Sequence, residues 1–418
     1  MTRLLTDDDS ASITKKIEDC CAEEILKKRI TERMRGIRDA GYRVMRERVL
    51  ASMQAPRVTI DGHQQSVLNL SSNNYLGLAT HPQVVAASRE GLEKRGLGAA
   101  SARFICGTLD IHVELERKIA EFHGHEAAIL YASCFDANAG LFDALLTKDD
   151  VVLSDSLNHA SIIDGIRMSK AQKLIYKHVD LSDLEAKLSS CQDAKLRVIA
   201  TDGVFSMDGE VAPLRNICDL AQKYKALVFI DECHATGIIG KTGRGTVEYW
   251  NIPGSVHIVN SSIGKALGGA SGGYTSGPKE LIELLRQRSR PYIFSSTLSS
   301  SVVAGAIKAF DILLSGSPLV AKLADNAKYF RKQMADVGFK IIPGDHPLVP
   351  VLVGDAEKAE KLAEQLFEEG VLVTSMCFPV VPQGEARIRV VLSAQHTHED
   401  LDVCVRKFTK AGGKVGVI

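Results

Sequence analysis

From about residue 66 onward, short apolar runs alternate with amphipathic stretches. The runs at 128–132, 151–154, 174–176, 197–201, 227–230 and 257–260 are short and rich in β-branched and aliphatic residues, so they read as strands. Helical patterns such as Leu214–Tyr224 lie between several of them. Strands alternating with helices predict an α/β architecture around a mostly parallel sheet. After a helix-like stretch at 301–314 the rhythm changes: another helix, a strand at 348–353, a helix at 356–369, and strands around 371–374 and 387–392. That order predicts a smaller α+β domain. At the other end, 13–50 is dense in charge, with Ile17, Ile25, Leu26, Ile30, Met34 and Ile37 near helical spacing, the pattern of an amphipathic arm. The expected division is an arm at 1–70, a large α/β domain at 71–310 and a small α+β domain at 311–418.

Composition narrows the function classes. At roughly 150 residues per domain, 418 residues suggest two or three domains and exclude a small stapled module. Lys plus Arg equals Asp plus Glu at 51 each, so no overall cationic field gathers nucleic acid or anionic lipid. No run approaches the roughly 18 apolar residues of a membrane span, which reads as a soluble protein. The nine cysteines form no C-x-x-C pair, which suggests neither a disulfide framework nor a zinc site. A reducing compartment is expected, and with Asp7, Asp8 and Asp9 near the start, cytoplasm and mitochondrial matrix both fit.

Candidate chemistry sits at the ends of the expected strands. Lys265, in Ser261-Ser262-Ile263-Gly264-Lys265, follows the strand at 257–260; that edge of an open α/β sheet binds ligands, and a desolvated lysine there is a Schiff-base nucleophile. A phosphate P-loop is excluded, because Val259 stands where its first glycine belongs and Ala266 follows the lysine. Gly243-x-Gly245 runs on to Glu248 and is no dinucleotide turn. Asp231, ending the strand before Glu232-Cys233-His234, suits a partner for a heterocyclic ring nitrogen, with His234 three residues on. Ser133-Cys134-Phe135 opens a helical pattern whose free amides favour a phosphate; its structural alternative is Ser133 as helix cap with Phe135 in the core. His159, in Asn158-His159-Ala160-Ser161, could stack on a flat ring. Taken singly, each has an ordinary structural explanation. The spaced pairs His123/His125 and His396/His398 lack a complete ligand set and read as surface histidines, with no metal expected.

The order Ser-Cys-Phe, Asn-His-Ala-Ser, Asp-x-x-His, Ser-x-Gly-Lys resembles the fold-type I enzymes that use pyridoxal 5'-phosphate (PLP). Asn73-Asn74-Tyr75-Leu76-Gly77-Leu78 and Thr201-Asp202-Gly203-Val204-Phe205-Ser206 narrow this to the α-oxoamine synthases, which join a glycine-like amino acid to an acyl-CoA. Phe104-Ile105-Cys106-Gly107-Thr108 and Phe378-Pro379-Val380-Val381-Pro382-Gln383-Gly384 are most similar to the acetyl-transferring members. The resemblance implies that Lys265 carries the cofactor and moves the Cα proton, Asp231 faces its ring nitrogen, His234 its ring hydroxyl, and His159 stacks on the ring. It implies a phosphate cradle from the amides of Cys134 and Phe135 and the hydroxyl of Ser262, with a further cofactor contact at Ser206. It further implies that Ser295 and Ser296 reach the phosphate from the other subunit of a homodimer, that Arg389 clamps the amino acid carboxylate, and that Asn73 lies on the substrate side. The implied reaction interconverts glycine plus acetyl-CoA with 2-amino-3-oxobutyrate plus CoA, in threonine breakdown, where a threonine dehydrogenase is a conceivable partner. Transfer of succinyl, pimeloyl or long-chain acyl groups, or a non-catalytic subunit, stay as alternatives.

Overall fold

The computed structural model describes residues 22–39, 47–63 and 65–418. The strands are, in chain order, β1 (Arg57–Val58), β2 (Val67–Asn69), β3 (Ala127–Tyr131), β4 (Val151–Asp155), β5 (Gln172–Tyr176), β6 (Arg197–Asp202), β7 (Leu227–Asp231), β8 (Ile258–Ser262), β9 (Gly273–Gly277), β10 (Leu348–Gly354), β11 (Val371–Leu372), β12 (Thr374–Met376) and β13 (Ala386–Val391). Seven of them form one sheet in the order β3-β9-β8-β7-β6-β4-β5. The five central and outer strands from β8 to β5 run parallel; β9 is antiparallel to both of its neighbours. β9 was not among the expected strands, because its sequence Gly-Tyr-Thr-Ser-Gly carries no apolar run.

Alternation along the parallel strands divides their side chains between two cores. Val152, Val198, Ala200, Phe229 and Ile258 join helices Cys134–Leu145, Ala160–Met168 and Lys279–Arg288 on one face. Val151, Leu153, Ile199, Val228, Ile230 and Val259 join helices Leu181–Ser190 and Leu214–Tyr224 on the other. Leu214–Tyr224 forms as read, burying Leu214, Ile217, Cys218 and Ala221 on one stripe. Burial on both faces is why these strands are continuous apolar runs.

A third core draws together residues far apart in sequence, from Leu68 and Tyr75 through helix Ser300–Leu314 to Phe408. β10, β13 and β12 make an antiparallel sheet, and helix Ala356–Glu368 packs beside it. Within the span read as an arm, β1 pairs with β2, which in turn pairs with β11 in a third sheet, and helix Ser300–Leu314 crosses position 310. Helix Ala22–Asp39 has Ile25, Leu26, Ile30 and Ile37 exposed; Ile17 lies outside the described residues. No single helix among the described residues is long and apolar enough to cross a membrane.

Candidate active site

The carboxyl ends of β6, β7 and β8 and the loop after β4 converge with the start of helix Cys134–Leu145. Asp231 ends β7, two residues after Phe229, so it faces the same side as that helix. It is buried, and three donors meet its carboxylate: Asn138 Nδ2 at 2.7 Å, Cys233 N at 2.8 Å and Cys134 Sγ at 3.6 Å. Asn260 has the same parity on β8 and donates to Asn138 Oδ1 at 2.8 Å.

Lys265 lies just past β8 in a tight turn. Ser262 Oγ accepts from Gly264 N at 2.9 Å, and a Cβ on Gly264 would lie 2.7 Å from the Ala270 carbonyl, so only glycine fits. Burial opposes the charge of Lys265, but Cys233, Asp231 and Tyr75 hold its ammonium above the ordinary lysine range. Burial, then the charges of Lys265 and Arg389, push the His234 imidazole well below its usual pKa. His234 Nδ1 pairs with the Tyr75 hydroxyl at 2.9 Å, and its carbonyl accepts from His346 Nε2 at 2.7 Å.

At the cradle, Ser133 caps helix Cys134–Leu145 by accepting from Asp136 N at 3.0 Å. Cys134 and Phe135 occupy its first turn, where amides have no helical acceptor. β9 presses against this turn at Gly273, where a Cβ would collide with the Ser133 carbonyl carbon and Cys134 N. Phe135 is 47% exposed, so the alternative that placed it in the core is corrected: at the second helical position it points out of the cap. The cradle, the buried carboxylate and the lysine fit a phosphorylated, nitrogen-containing aromatic aldehyde.

Across the cleft, Arg389 on β13 is buried, donating Nε–H to the Ser206 carbonyl at 2.9 Å and Nη2–H to Asn73 Oδ1 at 3.3 Å. Burial lowers its pKa from the usual arginine value, against the pull of Tyr75. His159 keeps one side exposed, its backbone N donating to Asp202 Oδ2 at 2.7 Å. Ser295 and Ser296 join a different neighbourhood, a surface strip where Ser296 bridges to Ala102. Phe104, Ile105 and Phe294 of that strip are 64%, 68% and 72% exposed, an uncovered apolar patch.

Sequence reading missed Tyr75 as an individual residue, Asn138, Ser161 and His346. Asn138 carried one usable signal, its place one helical turn after Cys134; His346, in a loop 112 residues from His234, carried none. The histidine pairs need correction. His396 is fully buried, accepting from Ser393 N at 3.0 Å, and His123 and His125 are half-buried against Tyr274 and Ser276 at 2.9 and 3.0 Å. Each fills a polar gap between packed elements; only His398 is exposed, stacked on Tyr329.

Comparison with known proteins agrees with this geometry. The family model described as aminotransferase class I and II matches residues 65–408. The mitochondrial 2-amino-3-ketobutyrate coenzyme A ligase of Mus musculus is 54% identical over 385 residues, 92% of each chain. The Escherichia coli K12 protein of that name, without the mitochondrial label, is 51% identical over 375 residues, 89% of this chain and 94% of its own. A serine palmitoyltransferase structure from S. paucimobilis, with a bound PLP–myriocin aldimine, superposes with a TM-score of 0.88 at 30% identity, covering 96% of this chain and 100% of that one.

Proposed function

The chain belongs to the aminotransferase class I and II family and, within it, to the group of the 2-amino-3-ketobutyrate coenzyme A ligases, and from that premise we propose that it is a PLP-dependent glycine C-acetyltransferase. It interconverts glycine plus acetyl-CoA with 2-amino-3-oxobutyrate plus CoA, the step of threonine degradation that yields glycine. The observation that carries this reading is the convergence of Lys265, Asp231 and the capped amide cradle at one strand edge, opposite Arg389 and Asn73.

When bound, PLP supplies an electron sink for the carbanion formed at the Cα of glycine. The protein's own residues do the rest. Lys265 would hold the cofactor aldehyde and then move the Cα proton. Asp231, which accepts three donors, would pair with the ring nitrogen and favour its protonated form. His234 would serve the ring hydroxyl and His159 the ring face, the amides of Cys134 and Phe135 and the hydroxyl of Ser262 would hold the phosphate, and Ser206, whose carbonyl binds Arg389, would add a further cofactor contact. The Arg389 guanidinium binds the glycine carboxylate, a bidentate task suited to its fork, with Asn73 at its side.

We also propose a homodimer in which the strip bearing Phe104, Ile105, Phe294, Ser295 and Ser296 is the shared face, so that these serines complete the partner's cradle. The uncovered apolar patch supports this. The division into an arm, a cofactor domain at 71–310 and a small domain at 311–418 is kept as part of the reading, as are a threonine dehydrogenase partner and a location in either the mitochondrial matrix or the cytoplasm. The test is initial CoA release from the PLP-loaded protein with glycine, comparing acetyl-CoA with succinyl- and long-chain acyl-CoA. A strong acetyl preference is expected. Preference for a longer chain would retain the chemistry and refute the substrate, and no release from any of them would refute the reading.

A further inference from the structure

Between Asp231 and His159 runs a chain of side chains in which each proton is assigned by its neighbour. The Asp231 carboxylate faces Asn138 Nδ2 at 2.7 Å, which fixes the amide end turned toward it. The second Nδ2 proton points at Ser161 Oγ, 2.8 Å away, while Asn138 Oδ1 accepts from Asn260 Nδ2 at 2.8 Å. Ser161 Oγ lies 2.7 Å from His159 Nδ1, and with Asn138 already donating to it the hydroxyl is free to donate its own proton to that nitrogen. The backbone N–H of Ser161 is aimed at the same nitrogen at 3.3 Å. A ring nitrogen that receives two donors carries no proton, so the neutral imidazole bears its hydrogen on Nε2.

We propose that Asn138 and Ser161 are positioning residues that hold His159 as the neutral Nε2–H tautomer, with the Asp231 carboxylate as the fixed end of the chain. Protonation of Nδ1 would require the Ser161 hydroxyl to turn its own proton away and would set the new N–H against a backbone N–H that cannot reverse its polarity. The charged groups around His159 are Asp231, Lys265 and Asp202. Burial, joined by the charge of Lys265, lowers the imidazole pKa against the pull of Asp231, while Asp202 binds the backbone N–H of His159. Asn138, Ser161 and Asn260 are all fully buried, so no solvent offers the chain other partners. The exposed His159 ring therefore stays uncharged and presents one N–H donor, at Nε2. The inference rests on the proposed function for what lies beneath His159; the chain itself belongs to the protein without cofactor.

The experiment is nitrogen NMR of the full chain labelled with 15N-histidine, with and without PLP, the His159 signals being assigned by their loss in His159→Asn. The expected pattern is a proton-free Nδ1 and a protonated Nε2, unchanged between about pH 6 and 8. Ser161→Ala, which keeps only the longer 3.3 Å backbone N–H contact, and Asn138→Ala should each convert this single tautomer into a mixture and restore titration in that range. A proton on Nδ1 in the parent protein, or an unaltered single tautomer in Ser161→Ala, would overturn the proposal. Should Asn138→Ala fail to fold, Ser161→Ala decides alone. None of these readings needs turnover: a protein that shows the tautomer but releases no CoA refutes the proposed function and leaves this inference standing.

Discussion

Two polar clusters lie at the carboxyl ends of different parallel strands, on opposite faces of the large sheet. On the face of helix Cys134–Leu145 lie Asp231 and Asn260, with Asn138 and the loop carrying His159. On the face of helix Leu214–Tyr224 lies Asp155, in register with Leu153. Asp155 takes His178 Nδ1 at 2.8 Å and Val179 N at 3.0 Å, His178 Nε2 reaches Glu210 at 3.2 Å, and the ring stands edge-on to Phe205 at 4.4 Å. Burial opposes a charge on that histidine, but the two carboxylates win and lift its pKa to about 9. The second cluster is closed: each nitrogen of His178 already has a carboxylate. The first is open, since the Cys134 and Phe135 amides have no helical acceptor and His159 is exposed to solvent. Strand-end aspartates alone do not make a reactive site; neighbours left for a ligand do.

The sharpest way to break that contrast is Lys265→Ala, which should abolish steady-state CoA release and the visible absorbance of lysine-bound cofactor. Retained turnover would remove the open cluster's claim to chemistry. Next, Asp231→Asn should lower the rate of CoA release by on the order of hundredfold or more, because an amide no longer favours a protonated ring nitrogen. Arg389→Lys should act mainly on the glycine KM, raising it about tenfold or more, because a point charge replaces a fork; an unchanged KM would refute the carboxylate clamp.

The closed cluster should show itself in stability instead. His178→Gln should leave CoA release near the parent value and cost about 2 kcal/mol in urea unfolding, the penalty of stranding a buried carboxylate. The smallest effect is its pH dependence. A folded pKa of about 9 lies above the ordinary histidine value, so the stabilisation is complete below about pH 6.5 and disappears as pH rises through about 9. The urea midpoint should fall over that window in the parent and not in His178→Gln. Parallel curves for the two proteins would show that the pair contributes nothing.

How much of this was legible follows from distance along the chain. Lys265, Asp231, His234 and His159 each stand within five residues of the end of an apolar run, so local pattern located them at the strand edge. Asn138 and Ser161 stand within helices and look like ordinary polar positions, and His346 reaches His234 across 112 residues. The depth of His123, His125 and His396 was misread because x-His-x spacing carries no information on what packs over it.

The sequence by itself determined the alternation of strands and helices, the strand-end positions of the chemical residues and a family resemblance in their order. Those properties are local: a two-residue period, a turn that only glycine allows, a cap. Tertiary structure alone decided that β9 inserts antiparallel between β3 and β8, that Arg389 from β13 meets Asn73, and that Asp231 and Asn260 share a parity that lets Asn138 bind both. Contacts between segments a hundred or more residues apart are set by which faces pack together, and a side chain's hydrogen-bonding partner is chosen only once that packing has excluded water.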